Sequence, residues 1–274
     1  MRKPFSPKER LLILVMALVQ FTHIVDFMIV MPLGKQFMEQ LDISPRQFSL
    51  IVSSYAFSAF FMGLVSAMIV DRYDRKRALL GMYVGFTIGT LLCALAPGYL
   101  SFLLARCLTG AFGGILVGLV LSIIGDTFSY ERRATATGWV MTAFSLASVA
   151  GVPAGLYLAA VFGLRAPFLI VGLLALGVLL LMVFAVPPMR EHLDSGEVER
   201  NPLIIWGNIL QDRNQVLALL FTVILMLGHF TIIPCIAPYM QFNVGFTDQQ
   251  VALIYLIGGL LTAVLLPVVG NIAD

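Results

Sequence analysis

The chain is laid out as long apolar blocks separated by short charged punctuation. From Leu11 to Gly34 there are 24 residues with a single charge, Asp26, and Gln47 to Val70 is a second block of 24 with none. The charge-free stretch from Ala78 to Ala105 is too long for one membrane crossing, and Pro97-Gly98 divides it as a turn signal. The pattern predicts helical spans at 11–34, 47–70, 78–96 and 99–125, then within 134–164, 166–186, 214–241 and 249–273. About 20 apolar residues in a helix cross a hydrocarbon core of roughly 30 Å, so eight crossings fit. A transmembrane barrel would instead alternate apolar and polar residues over segments of about 10. These blocks are apolar all round, which favours helices.

Composition sharpens the class. The chain is 59% hydrophobic and 12% charged, whereas a soluble domain carries about 25% charged residues. A net charge of +2 offers no basic surface for nucleic acid. Cys93, Cys107 and Cys235 all fall inside apolar blocks, so neither a disulfide framework nor a metal site is expected, and no cofactor is called for. The first span is too long for a signal h-region, carries an aspartate and lacks a small-residue cleavage site. Counting Lys and Arg on alternate sides gives thirteen on the side of the N-terminus and three (Lys35, Arg46, Arg165) on the other. The positive-inside rule then expects a cytoplasmic N-terminus. Residues 187–213 are polar, with Glu191, Asp194, Glu197 and Glu199, and read as a cytoplasmic linker. Leu203, Ile204, Trp206, Ile209 and Leu210 within it could lie as a short interfacial helix, or simply as linker.

The loop Asp71-Arg72-Tyr73-Asp74-Arg75-Lys76-Arg77 resembles the cytoplasmic signature of the major facilitator superfamily, G-x-L-a-D-R-x-G-R-[RK]. Asp71, Arg72, Arg75 and Lys76 agree; Ala67 and Asp74 stand where glycines are usual. The chain closes on Gly270-Asn271-Ile272-Ala273-Asp274, which looks like the opening of the same signature, 203 residues on. At that offset eight of 46 positions are identical, including Phe27/Phe230, Gln47/Gln250 and Leu50-Ile51/Leu253-Ile254, and Asp26 meets His229. Parallel repeats of this kind are a property of such transporters. The segment from His23 to Pro32 resembles the first-span acidic motif of drug–proton antiporters. Arg106-Cys107-Leu108-Thr109-Gly110 matches that branch's R-x-x-x-G element. Gly151-Val152-Pro153-Ala154-Gly155, followed by Arg165-Ala166-Pro167-Phe168, resembles sugar- and drug-efflux permeases.

The resemblance implies an all-α polytopic membrane protein. Residues 1–186 would form a six-helix N-terminal bundle, 187–213 the linker, and 214–274 the first two helices of a second bundle. A twelve-span superfamily then implies a C-terminally truncated chain. It further implies a multi-pass protein of the bacterial inner membrane, acting as a monomer on a small-molecule substrate and protons.

An ionisable group at membrane depth is costly unless it works or is paired. Asp26 lies about 12 Å from the outer end of span 1, taking 1.5 Å per residue. Arg106 in span 4 has a similar depth, and His229 sits in span 7. In the resembled fold these three spans line the central cavity. Burial disfavours a carboxylate and a neighbouring arginine favours it, so contact with Arg106 that changes as the cavity opens would load and release a proton at Asp26. His23 lies one helical turn before Asp26 and titrates near neutrality when unperturbed. Asp26 is therefore expected as proton carrier, Arg106 as its modulator or an anion anchor, and His23 and His229 as polar cavity residues. A fixed structural Asp26–Arg106 pair is the alternative, as is hydrogen-bonded packing for each histidine. Asp71, Arg72, Arg75, Lys76 and Asp274 are expected to hold a cytoplasmic gate through charge-assisted bonds to helix ends; positive-inside topology alone explains the cations but not Asp71. Asp126, Glu131, Arg132 and Arg133 form a second cluster or a solvated loop. Gly151, Pro153 and Gly155 would bend span 5 for gating or serve packing alone, and the glycines of span 4 point to tight packing.

A secondary transporter exporting a drug, sugar or metabolite against proton entry is the leading reading, with a symporting or uniporting permease as runner-up. A non-transporting membrane sensor is more remote. An intramembrane enzyme is disfavoured, because neither H-E-x-x-H nor G-x-S-x-G occurs.

Overall fold

The computed structural model describes residues 5–69, 73–189, 207 and 209–273, without the side chains of 67–69, 131, 229–230, 234 and 262–273. Asp71, Arg72 and Asp274, together with the linker calls at 190–206, lie outside it. The described residues are helical throughout: α1 (Pro7–Ile29), α2 (Gly34–Gln40), α3 (Pro45–Ile69), α4 (Arg75–Leu95), α5 (Tyr99–Thr127), α6 (Tyr130–Leu146), a π-helical turn (Ala147–Gly151), α7 (Val152–Phe162), α8 (Ala166–Ala185), α9 (Arg213–Phe242) and α10 (Asp248–Ala273). Among them, seven continuous helical segments are long and apolar enough to cross a membrane, and α10 is apolar over its described part.

Helix starts follow local chemistry. Ser6 and Glu9 form a reciprocal capping box at α1, with Pro7 in the first helical position, where its missing N–H costs nothing. α3 and α10 open alike. The Ser44 amide donates to Gln47 Oε1 (2.9 Å) and the Gln47 amide to Ser44 Oγ (3.3 Å); Thr247 and Gln250 repeat both bonds at the same lengths. The two boxes are 203 residues apart, the same offset that relates the two signature segments in the sequence.

Three boundaries differ from the sequence pattern. α1 stops at Ile29 and the chain turns through Val30–Leu33. Pro32 has no amide to donate to the Met28 carbonyl, so the α-helical ladder ends there, and the Met31 amide turns to that carbonyl instead (3.3 Å). Asp26 therefore lies three residues from its helix end, and residues 34–40 form α2. α4 begins at Arg75 and not at 78, because the Asp74 carboxylate caps it by accepting from the Arg77 amide (3.1 Å). Span 5 is continuous but widened at Ala147–Gly151, one turn before Pro153, whose ring and missing N–H disrupt the ladder there.

α3 and α4 pack along α5, α1 along α6 and α8, and α4 along α8. The α3–α5 seam is tight: a Cβ on Gly110 would stand 2.8 Å from the Tyr55 Cα, and one on Gly114 2.8 Å from the Ala59 Cα. Gly118, by contrast, faces open space. Two apolar clusters fill the interior. One, including Leu12, Met16, Val19, Leu116 and Leu119, occupies the half nearer the N-terminus; the other, including Ile29, Phe37, Phe102 and Phe168, occupies the opposite half. Between them lies a buried polar layer containing Gln20, His23, Asp26, Thr90, Arg106 and Thr109. Outward faces carry exposed apolar side chains such as Phe57, Leu104 and Phe184, as a lipid-facing surface requires.

Candidate functional site in the buried polar layer

α1 and α5 bring Asp26 and Arg106 together. Arg106 Nη1 donates to Asp26 Oδ2 at 2.7 Å, with side-chain exposures of 1% and 0%. The same nitrogen lies 3.4 Å from the Asp26 carbonyl. Thr90 on α4 donates from Oγ1 to Asp26 Oδ1 (3.1 Å), and the guanidinium sits over the Tyr55 ring of α3, 4.4 Å from its centroid. Four helices thus meet at one ion pair. A desolvated, charge-assisted bond of this length is strong, and the cation–π contact adds to it.

His23 lies one turn away, buried against Tyr55 and Phe86, with ring centroids 6.3 and 5.9 Å apart. His229 is carried by α9, but its side chain lies outside the description. Three of the four expected residues are therefore together. They face the inside of the helix bundle, and the three described cavities are not lined by them. The largest of these, about 680 Å³, lies between α1 and α6 with Leu14, Leu18 and Trp139 in its wall. Thr90 and Tyr55 are the partners that sequence reasoning missed. Both are uncharged members of apolar helices, and only the topology marks them. No group of three or more His, Cys, Asp or Glu positioned for a metal occurs among the described residues.

At the N-terminal end of the bundle, Arg75 Nε pairs with Asp126 Oδ2 on α5 (3.0 Å), and Lys76 Nζ donates to the Val183 carbonyl near the end of α8 (2.8 Å). These are bonds to neighbouring helix ends. Asp74, where the signature has glycine, also accepts from the Met189 amide (3.1 Å), while the Arg75 amide donates to the Met189 carbonyl (3.2 Å). Arg132 is not left in a solvated loop: it makes a bidentate pair with Glu9 of α1 (2.9 and 3.0 Å). Nothing in the local sequence marks Glu9 as its partner, 123 positions away.

In span 5, Gly151 and Gly155 admit Val25 and Ile29 of α1, whose side chains a Cβ at either glycine would overlap. On another side, α10 packs on the π turn and α7, where a Gly259 Cβ would lie 2.8 Å from Val149 Cγ2. Further toward the end away from the N-terminus, Gln36 of α2 and Gln241 of α9 both donate to Asp248 of α10 (3.3 and 2.8 Å).

The chain is 27% identical over 202 residues, 73% of its length, to the inner membrane transport protein YdhP of Escherichia coli, and spans 50% of that protein. It is 24% identical over 269 residues to a probable sugar efflux transporter of Mannheimia succiniciproducens, covering 96% of this chain and 66% of the relative. The chain thus spans about half to two-thirds of the length of these curated relatives. In fold it is similar to the crystal structure of a bacterial homolog to the human lysosomal transporter Spinster, inward-facing and unoccupied. The TM-score there is 0.77 at 21% identity, over 95% of this chain and 61% of the other. The Major Facilitator Superfamily model matches residues 16–274, and with its all-helical fold and membrane-length helices the chain belongs to that superfamily of transporters.

Proposed function

We propose that the protein exports a small molecule in exchange for protons by alternating access, with Asp26 as the proton carrier and Arg106 setting when it binds and releases. The observation that carries this reading is the 2.7 Å Asp26–Arg106 pair, fully buried at the junction of α1, α3, α4 and α5. A carboxylate enclosed in this way changes its proton affinity when its arginine moves or water enters. Domain rotation in an alternating-access cycle supplies such a change.

The N-terminus and the Arg75–Asp126 and Lys76–Val183 contacts are assigned to the cytoplasmic side of the bacterial inner membrane. The excess of Lys and Arg at that end supports this. Helices α1 and α3 to α8, with the π turn, then form the N-terminal bundle. Helices α9 and α10 open a second bundle beyond the 187–213 linker, and the monomer is the working unit. The contacts of α10 with the π turn of span 5, and the Gln36–Asp248–Gln241 bonds, support a conformation closed on the outer side. His229 remains assigned to the cavity on its repeat position opposite Asp26.

A sugar or related metabolite is the second reading of the cargo, since one relative carries the name of probable sugar efflux transporter; a permease without proton exchange would follow if coupling fails. Proteoliposomes with an imposed pH gradient test both. Asp26→Asn is expected to abolish pH-driven transport while leaving exchange at equal pH; unchanged pH-driven transport in this variant would sink the carrier role.

A further inference from the structure

Beside the Asp26–Arg106 pair, four side chains with exposures of 8% or less carry polar atoms that meet no hydrogen-bond partner among the described residues. These atoms are Gln20 Oε1, both ring nitrogens of His23, the Tyr55 hydroxyl and Arg106 Nε. The His23, Tyr55 and Arg106 groups adjoin one another, and Gln20 stands one helical turn before His23. Gln20, His23 and Asp26 follow one another at three-residue spacing on α1, so His23 neighbours both. The Tyr55 ring lies under the guanidinium and 6.3 Å from the imidazole. The Tyr55 hydroxyl rests on Gly113, where a Cβ would overlap it and also approach His23 Cδ2 to 3.1 Å.

Buried polar groups in folded proteins are almost always satisfied, by protein or by ordered water, and a buried water makes about three hydrogen bonds. The neighbouring Thr22–Tyr83 pair shows the other solution: the Tyr83 hydroxyl is as deeply buried and bonded at 2.8 Å to Thr22 Oγ1. Five neighbouring atoms without such a partner call for a bound ligand that both donates and accepts. We propose that Gln20, His23, Tyr55 and Arg106 form an internal water-binding site of about two waters, contiguous with Asp26 and extending from it along α1. Met16 and Val19, the buried apolar residues that precede Gln20 on α1, belong to the apolar cluster on that side. The site's use, as a hydrogen-bonded path for the proton of Asp26, rests on the proton-coupling reading; its existence does not.

Radiolytic hydroxyl-radical footprinting of the full chain in nanodiscs tests the site, because radiolysis generates radicals from bound water inside a protein as well as at its surface. Tyr83 is the internal control. Tyr55 and His23 are expected to be modified several-fold faster than Tyr83, and Gln20→Leu is expected to slow His23 modification in a protein that still elutes as a single species. Tyr55 modified no faster than Tyr83 in the unaltered protein overturns the site, and that comparison needs no variant. The two readings fail separately. Fast Tyr55 modification with pH-driven transport intact in Asp26→Asn keeps the water site and removes the proton carrier. Slow modification with transport lost does the reverse.

Discussion

Two arginines tie α1 to other helices, and the contrast between them separates what these ion pairs do. Arg106 meets Asp26 at 2.7 Å where both side chains are enclosed, with Thr90 on the carboxylate and Tyr55 under the guanidinium. Arg132 meets Glu9 at 2.9 and 3.0 Å with about a quarter of each side chain exposed, over the Phe5 ring at 4.7 Å. The chemistry is the same and the surroundings are not. In the enclosed pair each charge is tolerable only while the other is present, so a change in protonation or in position is felt at once. In the peripheral pair water and salt share the charges, and loss of one partner is largely made good by solvent. An enclosed pair suits a switch; a peripheral one suits a strap.

The largest effect is therefore expected at Arg106. Arg106→Met strands a buried carboxylate and is expected to cost about 3–5 kcal/mol of stability, read as a large drop in the unfolding midpoint in detergent. Neutralising both partners, as Asp26→Asn with Arg106→Met, is expected to recover most of that loss while pH-driven transport stays absent. A double variant as unstable as the single would mean that the arginine matters for its packing and not for its charge, and the contrast would collapse.

Gly110→Ala tests how firmly the enclosed pair is framed. The added methyl meets the Tyr55 backbone, with its Cα at 2.8 Å, and neither backbone can yield without parting α3 from α5. Overpacking of this kind costs roughly 1–3 kcal/mol, and here it also moves Tyr55 off the guanidinium. The expected result is a lower unfolding midpoint together with altered pH dependence of transport; Gly118→Ala, in open space, is expected to change neither.

These residues also show how far the sequence could be read. Charges are so sparse in the apolar blocks that Asp26 and Arg106 stand out, and their pairing follows once spans 1 and 4 are neighbours. Thr90 and Tyr55 complete the site yet carry no such mark, because a threonine or tyrosine in an apolar helix is as often packing as function. Pro153 announced a disturbance in span 5, but the form it takes, a π turn gripped by α1 and α10, depends on what packs there. At Pro32 apolar content extends the expected span to Gly34, whereas the missing amide ends the helix at Ile29. Asp74 departs from the family signature, and its departure has a structural use in capping α4 and holding the Met189 backbone. Glu9–Arg132 was beyond reach, since partners 123 positions apart at two helix starts are joined only by the fold.

The smallest effect belongs to Glu9, and it is the most discriminating because Glu9 does two things. Its carboxylate accepts from the Ser6 amide at 2.7 Å, completing the cap of α1, and it also pairs with Arg132. Glu9→Gln keeps the cap, for which an amide serves equally well, and removes only the ionic part of the pair. The expected cost is up to about 1 kcal/mol at low salt. It should shrink as ionic strength rises, because the screening length falls from about 10 Å at 0.1 M to about 3 Å at 1 M. Ser6→Ala does the converse: the pair stays, the cap weakens, and a loss of about 1 kcal/mol should hardly respond to salt. The loss in Arg106→Met should be equally insensitive, since salt does not reach an enclosed pair. Unfolding midpoints of the three variants across a salt series thus sort cap, strap and switch by one measurement. A salt-insensitive loss of several kcal/mol in Glu9→Gln would place Arg132 with Arg106 as a buried charge and remove the distinction between them.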